Sequence, residues 1–297
     1  NKSVSLTQYL TSLRATMRFE FCCIRKLYKC TNIFKFIDYS LVLVSNRDEY
    51  YDRPTENMAP WKEDPNVIGG RDVQVNGGGT WLAVSPNRKK LGVLLNLTGG
   101  TKNPQANSRG RIVTDYVKCD KTVESYVTHI RSYSRFCNDF VFVSVEFRSS
   151  GPTISSYSNA TDKVITHNEA YVGFGNSLPD QPLKKVDAGK NKLMEILNTL
   201  NKVSMQEELI EKLIELLKSD ERHLPDPQLE TKRPNLYKEL SSIFVSIPKG
   251  KYGTRTHTIL LVTKTGHMKI IEITQEQASK LMPDWTRTEY EFDMELK

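Results

Sequence analysis

The segment Asp139–Phe147 constrains the fold of this chain more than any other. In an extended conformation it is apolar on both sides, with two phenylalanines pointing one way and three valines and Phe147 pointing the other. A strand with two apolar sides has to be covered on both of them. The segment therefore predicts a sheet inside a layered sandwich rather than an open sheet with one face in water.

The other predicted elements are grouped by type along the chain, in the order strands, helices, strands, helices, strands. Strands are predicted at Leu41–Ser45, Thr80–Val84, Leu91–Leu95, Thr153–Ser158, Lys163–Thr166, Tyr171–Phe174, Ser242–Ile247, Thr256–Lys264, Met268–Thr274 and Arg287–Phe292. Helices are predicted from Ser108 to about Tyr133 and in two segments before the third group of strands. Because single strands and helices do not alternate, this order predicts an α+β domain with antiparallel sheets instead of βαβ units.

Residues 1–37 differ from the rest of the chain in their charge. They contain seven Lys and Arg residues against Glu20 alone, so they account for six of the seven units of positive net charge. The remainder is nearly neutral and lacks the basic stripe of a surface that follows a phosphate backbone. We therefore expect no nucleic-acid partner.

The same leading residues show no clean period, and we leave residues 1–38 unassigned and expect one domain over residues 39–297. They are either an organelle-targeting presequence or a truncated or wrongly joined N-terminus with Met17 as a start. We favour the second interpretation, because Phe19–Cys23 is too apolar for an ordinary transit peptide.

The cysteines and histidines argue against a fold that is held together by disulfide bonds or by a metal ion. The cysteines are Cys22, Cys23, Cys30, Cys119 and Cys137. Their odd number and the lack of a Cys-x-x-Cys pair fit neither a disulfide framework nor a zinc site, and favour a reducing compartment. The histidines have no metal-ligand spacing, so no metal site is expected. His257 alternates along a strong strand, as a core histidine or as a ligand, and we favour the core.

Polar side chains recur at the ends of predicted strands. Asn46–Pro54 places two arginines and three carboxylates directly after an apolar run. An arginine beside an aspartate can orient a substrate carboxylate or keep a nucleophile ionised, and it can equally pin a turn as an ion-pair cluster. Asn96, Asn176 and Arg255 lie at the ends of other strands. Their recurrence around one sheet favours a functional site.

Several motifs in order resemble the NRDE-motif family, also called the transport and Golgi organisation protein 2 family, over about residues 39–297. The motifs are Leu41–Pro54 with its Asn46-Arg47-Asp48-Glu49 signature, Ile68–Asp72, Gly78–Leu82, Leu95–Thr98, Ser108–Gly110, Gly173–Ser177, His223–Pro227, Tyr252–Thr258 and Trp285–Phe292. The resemblance implies a four-layer αββα sandwich of antiparallel sheets, similar to the N-terminal-nucleophile hydrolases.

Cysteine members of that hydrolase class attack an amide with the thiolate of an N-terminal Cys, whose α-amino group acts as base. The residues that resemble their supporting set are Arg47, Asp48, Asn96, Asn176 and Arg255. Cys23 is the candidate nucleophile, with Cys22 and Cys30 as rivals. The family usually starts Met-Cys before an apolar strand, whereas Ile24–Leu27 does not continue as a good strand, so whether the chain is an enzyme stays open.

The resemblance also implies a cellular role in Golgi organisation and protein secretion, with haem trafficking and lipid homeostasis. Alternatives are a cysteine amidohydrolase acting on a small amide and a pure scaffold. We expect no required cofactor, haem or an acyl lipid as a small-molecule ligand, and peripheral membrane association. The expected location is the cytoplasm, with Golgi association or a mitochondrial location as alternatives.

Overall fold

The computed structural model describes residues 20–26, 38–74, 78–99, 103–276 and 284–296. The strands are β1 (Glu20–Lys26), β2 (Tyr39–Tyr50), β3 (Thr55–Trp61), β4 (Asp64–Asp72), β5 (Leu82–Ser85), β6 (Lys90–Asn96), β7 (Phe140–Glu146), β8 (Thr153–Ser158), β9 (Lys163–His167), β10 (Tyr171–Phe174), β11 (Ser246–Ile247), β12 (Tyr252–Thr263), β13 (His267–Gln275) and β14 (Trp285–Asp293). The helices are α1 (Gly110–Lys118), α2 (Val123–Ser134), α3 (Lys184–Thr199), α4 (Gln206–Leu217), α5 (Pro227–Lys232) and α6 (Tyr237–Leu240).

The strands form two antiparallel sheets. The first sheet has the order β10-β1-β2-β12-β13-β14, with β11 paired to β12. The second sheet has the order β3-β4-β5-β6-β7-β8-β9. The predicted α+β architecture with antiparallel sheets is confirmed.

The apolar side chains form three core clusters that define how the elements pack. One cluster lies between the two sheets and includes Leu43 and Val143. A second lies between the first sheet and helices α3 and α4, and includes Val44 and Leu213. The third lies between the second sheet and helices α1 and α2. Each sheet therefore has one face against the other sheet and one face against helices.

Strand β7 shows why this packing follows from the sequence. Its valines Val141 and Val143 belong to the cluster between the sheets, whereas Phe140 and Phe142 belong to the cluster under α1 and α2. All four side chains are buried. The prediction that both sides of this segment are covered is confirmed.

Strand β1 corrects the expectation that the domain begins at residue 39, and it includes Ile24–Lys26, which was expected to make a poor strand, while Leu27 lies outside the described residues. Glu20–Lys26 pairs with β10 on one side and with β2 on the other. The charged side chains that obscure the pattern are accommodated by carbonyl groups: Arg25 Nη1 donates to the Tyr39 carbonyl at 2.8 Å, and Lys26 Nζ donates to the His167 carbonyl. A buried cation with such acceptors is tolerated inside a sheet.

The remaining residues of the leading segment, including Met17 and Cys30, lie outside the described residues. No helix in the described parts of the chain is long and apolar enough to cross a membrane.

Candidate functional site

The Asn46–Glu49 signature lies inside a strand rather than in a loop after it. β2 continues to Tyr50 because β12 pairs with it from Tyr252 opposite Tyr50 to Thr263 opposite Tyr39. The sequence predicted a strand that stops at Ser45, and this boundary is corrected. Successive side chains of a strand point to opposite faces. The signature is therefore divided between the two faces of the first sheet.

Arg47 and Glu49 face the second sheet. The guanidinium carbon of Arg47 lies 4.0 Å from the centroid of the Trp81 ring, a cation–π contact. Arg47 Nη2 is 3.8 Å from Glu49 Oε2, and Arg53 Nε is 3.4 Å from the same oxygen. A side chain at Gly70 would come within 2.4 Å of the Trp81 ring, so the indole is seated between this glycine and Arg47.

Asn96 lies in the same space between the sheets. With Arg47, Glu49 and Thr80 it lines a cavity of about 20 Å³, which is room for one water molecule. The Asn96 side chain is buried, and neither its Nδ2 nor its Oδ1 has a hydrogen-bond partner among the described residues. A buried amide without partners costs free energy. The cavity therefore offers a ready donor and a ready acceptor.

Asn176 holds the backbone of Asn96 in place. Its Nδ2 donates to the Asn96 carbonyl at 2.7 Å, and its own carbonyl accepts the Thr98 N–H at 2.9 Å. Asn176 thus supports the cavity wall through the main chain.

Arg255 is an extra residue of β12, at an irregularity in the pairing with β2 between Thr254 and Thr256. Its Nη1 donates to the carbonyls of Tyr50 at 3.0 Å and of Arg53 at 2.7 Å. Burial lowers the pKa of Arg255, and nearby carboxylates oppose this effect. The side chain fixes the turn that follows the signature.

Asp48 lies on the opposite face of the sheet, against the helices. Its Oδ1 accepts a hydrogen bond of 2.6 Å from Thr254 Oγ1. Burial raises the pKa of Asp48 to about 7, an effect that Lys185 and Thr254 oppose. Lys185 of α3 is itself fully buried, which lowers its pKa, and its Nζ donates to the Ser242 carbonyl at 3.1 Å. Asp48 therefore belongs to a buried network that joins the sheet to the helix layer.

Asn46 shares this face and determines the tautomer of His257. Both Nδ2 hydrogens of Asn46 are donated, to the carbonyls of Leu217 at 2.8 Å and Ile243 at 3.0 Å. Its Oδ1, 2.6 Å from His257 Nδ1, must then accept, so Nδ1 carries the ring proton. Burial lowers the pKa of His257 to about 3, and the ring stacks on Trp285. The preferred interpretation of His257 as a core residue is confirmed.

The two described N-terminal cysteines also face opposite ways. Cys23 belongs to the cluster under the helices, with Sγ 3.9 Å from the Val186 carbonyl. Burial, and then the neighbouring Cys22 thiol, raise the pKa of Cys23 well above its ordinary value, so the nucleophilic thiolate is disfavoured. Cys22 belongs to the cluster between the sheets, opposite Ser45 and thus on the face that carries Arg47.

The structure therefore separates the six predicted site residues into two groups. Arg47 and Asn96 line one cavity between the sheets, Asn176 holds the backbone of Asn96, and Arg255 holds the turn after the signature. Asp48 and Cys23 lie on the helix face. The expectation that Arg47, Asp48, Asn96, Asn176 and Arg255 together support Cys23 is corrected, because adjacent strand residues such as Arg47 and Asp48 cannot share a face.

Glu272 belongs to the site between the sheets and was missed from the sequence. Its Oε1 accepts the Met58 N–H of the second sheet at 2.7 Å and the Thr274 hydroxyl at 3.2 Å. Burial raises the pKa of Glu272 to about 7, while Arg47 acts in the other direction. Glu272 lies two residues after the buried Ile270 on β13, so both side chains point to the same face of the sheet. This spacing is the sequence signal that places Glu272 between the sheets.

Glu272 generates a prediction about stability and pH. The native state binds its proton more tightly than the unfolded chain, with a pKa of about 7 against an ordinary 4.5. The stability it contributes is complete below about pH 4.5 and is lost as the pH rises to about 7. A difference of this size between the two pKa values corresponds to about 3 kcal/mol of stability. Between pH 4.5 and 8, the free energy of unfolding measured with urea should decline less for Glu272→Gln than for the parent chain.

Glu169 is exposed, so Glu169→Gln serves as the matched control, and its free energy of unfolding should decline with pH as much as that of the parent chain. An identical pH dependence in Glu272→Gln and the parent chain would contradict the assignment.

Comparisons with known proteins agree with this arrangement of motifs. The profile of the family described as Transport and Golgi organisation 2 matches residues 23–277. The chain is 37% identical over 269 residues to Transport and Golgi organization protein 2 of Drosophila melanogaster, covering 86% of this chain and 93% of that protein. It is 30% identical over 263 residues to the homolog of Homo sapiens, covering 86% and 94%. The chain belongs to the transport and Golgi organisation 2 family.

Proposed function

We propose that this protein has the role in transport and Golgi organisation for which its relatives are named, and that it acts by binding a small molecule at Arg47. The observation that carries this proposal is the Arg47 guanidinium on the Trp81 ring, in the wall of the same cavity as Asn96, whose side-chain amide has no hydrogen-bond partner among the described residues. A buried amide whose donor and acceptor have no partner among the described residues can bind a polar group that enters the cavity.

The chemistry of these groups favours a ligand with a carboxylate. A guanidinium presents a planar fork of donors that matches a carboxylate, and the Asn96 amide can pair with a second polar group. We propose haem or an acyl lipid as the cargo, as the family resemblance implies, because haem propionates and fatty acids both present carboxylates. The cavity of about 20 Å³ is too small for either ligand, so binding requires the Trp81 ring to leave Arg47.

Haem titration tests the ligand proposal directly. The parent protein should give a saturable shift of the Soret band, and Arg47→Ala should weaken it by about tenfold or more, as expected for loss of a charge-assisted contact. His257→Ala should leave the shift unchanged per folded molecule, because His257 is locked to Asn46 in the core. Palmitate should compete for the same site if acyl lipids bind there.

A shift that survives in Arg47→Ala would contradict a role for Arg47. A shift that disappears in His257→Ala would instead indicate coordination of the haem iron by that residue.

The cellular proposal is tested by the same variant. We expect Arg47→Ala to disturb function more than stability, because Glu49 retains Arg53 as a partner when Arg47 is removed. In cells that lack the protein, Arg47→Ala should fail to restore secretion and Golgi morphology, while its melting temperature stays close to that of the parent. A large loss of melting temperature with activity retained per folded molecule would contradict this expectation.

Fractionation of these cells also tests our proposed location, the cytoplasm with peripheral attachment to Golgi or mitochondrial membranes.

A second candidate function is a cysteine amidohydrolase. Two antiparallel sheets between helices resemble the N-terminal-nucleophile hydrolases, and Cys22 shares the face of Arg47. In this reaction the thiol would give its proton to the α-amino group and attack the amide carbon as the thiolate. The α-amino group would pass that proton to the leaving amine, and water would hydrolyse the resulting thioester to the acid and the free thiol. The nucleophile would be Cys22, since the Cys23 thiol faces the helices.

Mass spectrometry of the mature protein tests this second candidate. A chain that begins at Cys22 would support it. A mature chain with residues retained before Cys22 would remove it, because the α-amino base would then be absent from the nucleophile.

A further inference from the structure

A groove of about 910 Å³ runs between helices α3 and α4, on the helix layer and apart from the Arg47 cavity. Its floor is apolar and includes Ile196, Leu200, Leu216 and Ile243, all of which are buried members of the core. Nothing in the described part of the chain occupies the space above this floor.

The charged residues on the rims leave an acidic group at each end of the groove. Lys192 pairs with Glu195 at 2.9 Å on α3, and Lys212 pairs with Glu215 at 2.8 Å on α4, so these four neutralise one another. Two further lining carboxylates have no ion pair among the described residues. They are Glu208, in the first turn of α4, and Glu221, beyond the end of that helix.

His223 adds a polar group to the Glu221 end of the groove. Its Nε2 is buried and has no hydrogen-bond partner among the described residues. Burial lowers the pKa of His223, an effect that Glu221 opposes, and Nε2 of a neutral imidazole can form one hydrogen bond.

We infer that this groove is the docking site for an amphipathic helix of a partner protein, with an apolar stripe along its length and Lys or Arg near both ends. Helices bind apolar grooves through residues spaced at helical intervals, and opposite charges at the ends determine orientation and partner choice. α4 has 12 residues and spans about 18 Å, a length comparable to a helix of three turns. A flat membrane surface does not fit a concave groove, and a polyamine has no apolar stripe to match the apolar floor.

The test uses the full chain and a fluorescein-labelled helical peptide of about 16 residues, with leucines at helical spacing and lysines at both ends. Fluorescence anisotropy should show saturable binding. The double variant Glu208→Lys/Glu221→Lys should raise the Kd by about tenfold or more. The control Asp120→Lys/Glu169→Lys makes the same change in net charge at exposed positions outside the groove, and should bind as the parent does.

A second pair of variants tests the position of the peptide. Ala188→Phe places a ring inside the groove and should abolish binding, whereas Asn198→Phe, on the same helix but outside the groove, should not. Circular dichroism and melting temperature confirm that each variant is folded. The inference is overturned if the rim variant and its control bind equally, if Ala188→Phe binds as the parent does, or if a peptide with glutamates at both ends binds as tightly. It is also overturned if phosphatidylcholine vesicles bind the chain through these residues and the peptide does not.

Discussion

The pairing of β2 with β12 is the interaction on which the rest of this structure depends. It runs the length of β2 and keeps Asn46–Glu49 extended, so the four side chains alternate between two environments. Arg47 and Glu49 enter the space between the sheets, while Asn46 and Asp48 enter the helix layer. One short segment thus supplies both a polar site and the contacts that attach the helices behind it.

The extra residue Arg255 in β12 lets the side chains of this strand match the two environments of Asn46–Glu49. Thr254 and Thr256 are two apart and would ordinarily share a face, but the extra residue between them reverses the alternation. Thr254 consequently bonds to Asp48 on the helix face, whereas Thr256 lies opposite Arg47. A slip of one residue in this pairing would exchange the two environments and bury the guanidinium under the helices. The buried hydrogen bonds therefore specify the register as well as satisfying polar groups.

Much of the fold could be predicted because strands with two apolar faces leave a clear pattern, as β7 does. β1 could not, since its Arg25 and Lys26 look like the end of a strand until the Tyr39 and His167 carbonyls that accept from them are known. The residues of the site were found by their position at strand ends. Their division between two faces was missed because the strand was expected to stop at Ser45.

The cavity beside Arg47 is too small for a ligand, so part of its wall has to move before a ligand can enter. The backbone before Trp81 is held tightly: a side chain at Gly79 would meet the α carbon of Gly110 at 2.7 Å, and Thr80 N–H donates to the Gly110 carbonyl at 3.2 Å. A movement of this main chain would break the packing between the second sheet and α1. The Trp81 side chain is held by its cation–π contact with Arg47, worth about 1 to 2 kcal/mol, and by its packing on Gly70 and within the cluster between the sheets. Rotation of the indole is the movement that exposes the guanidinium without displacing this main chain.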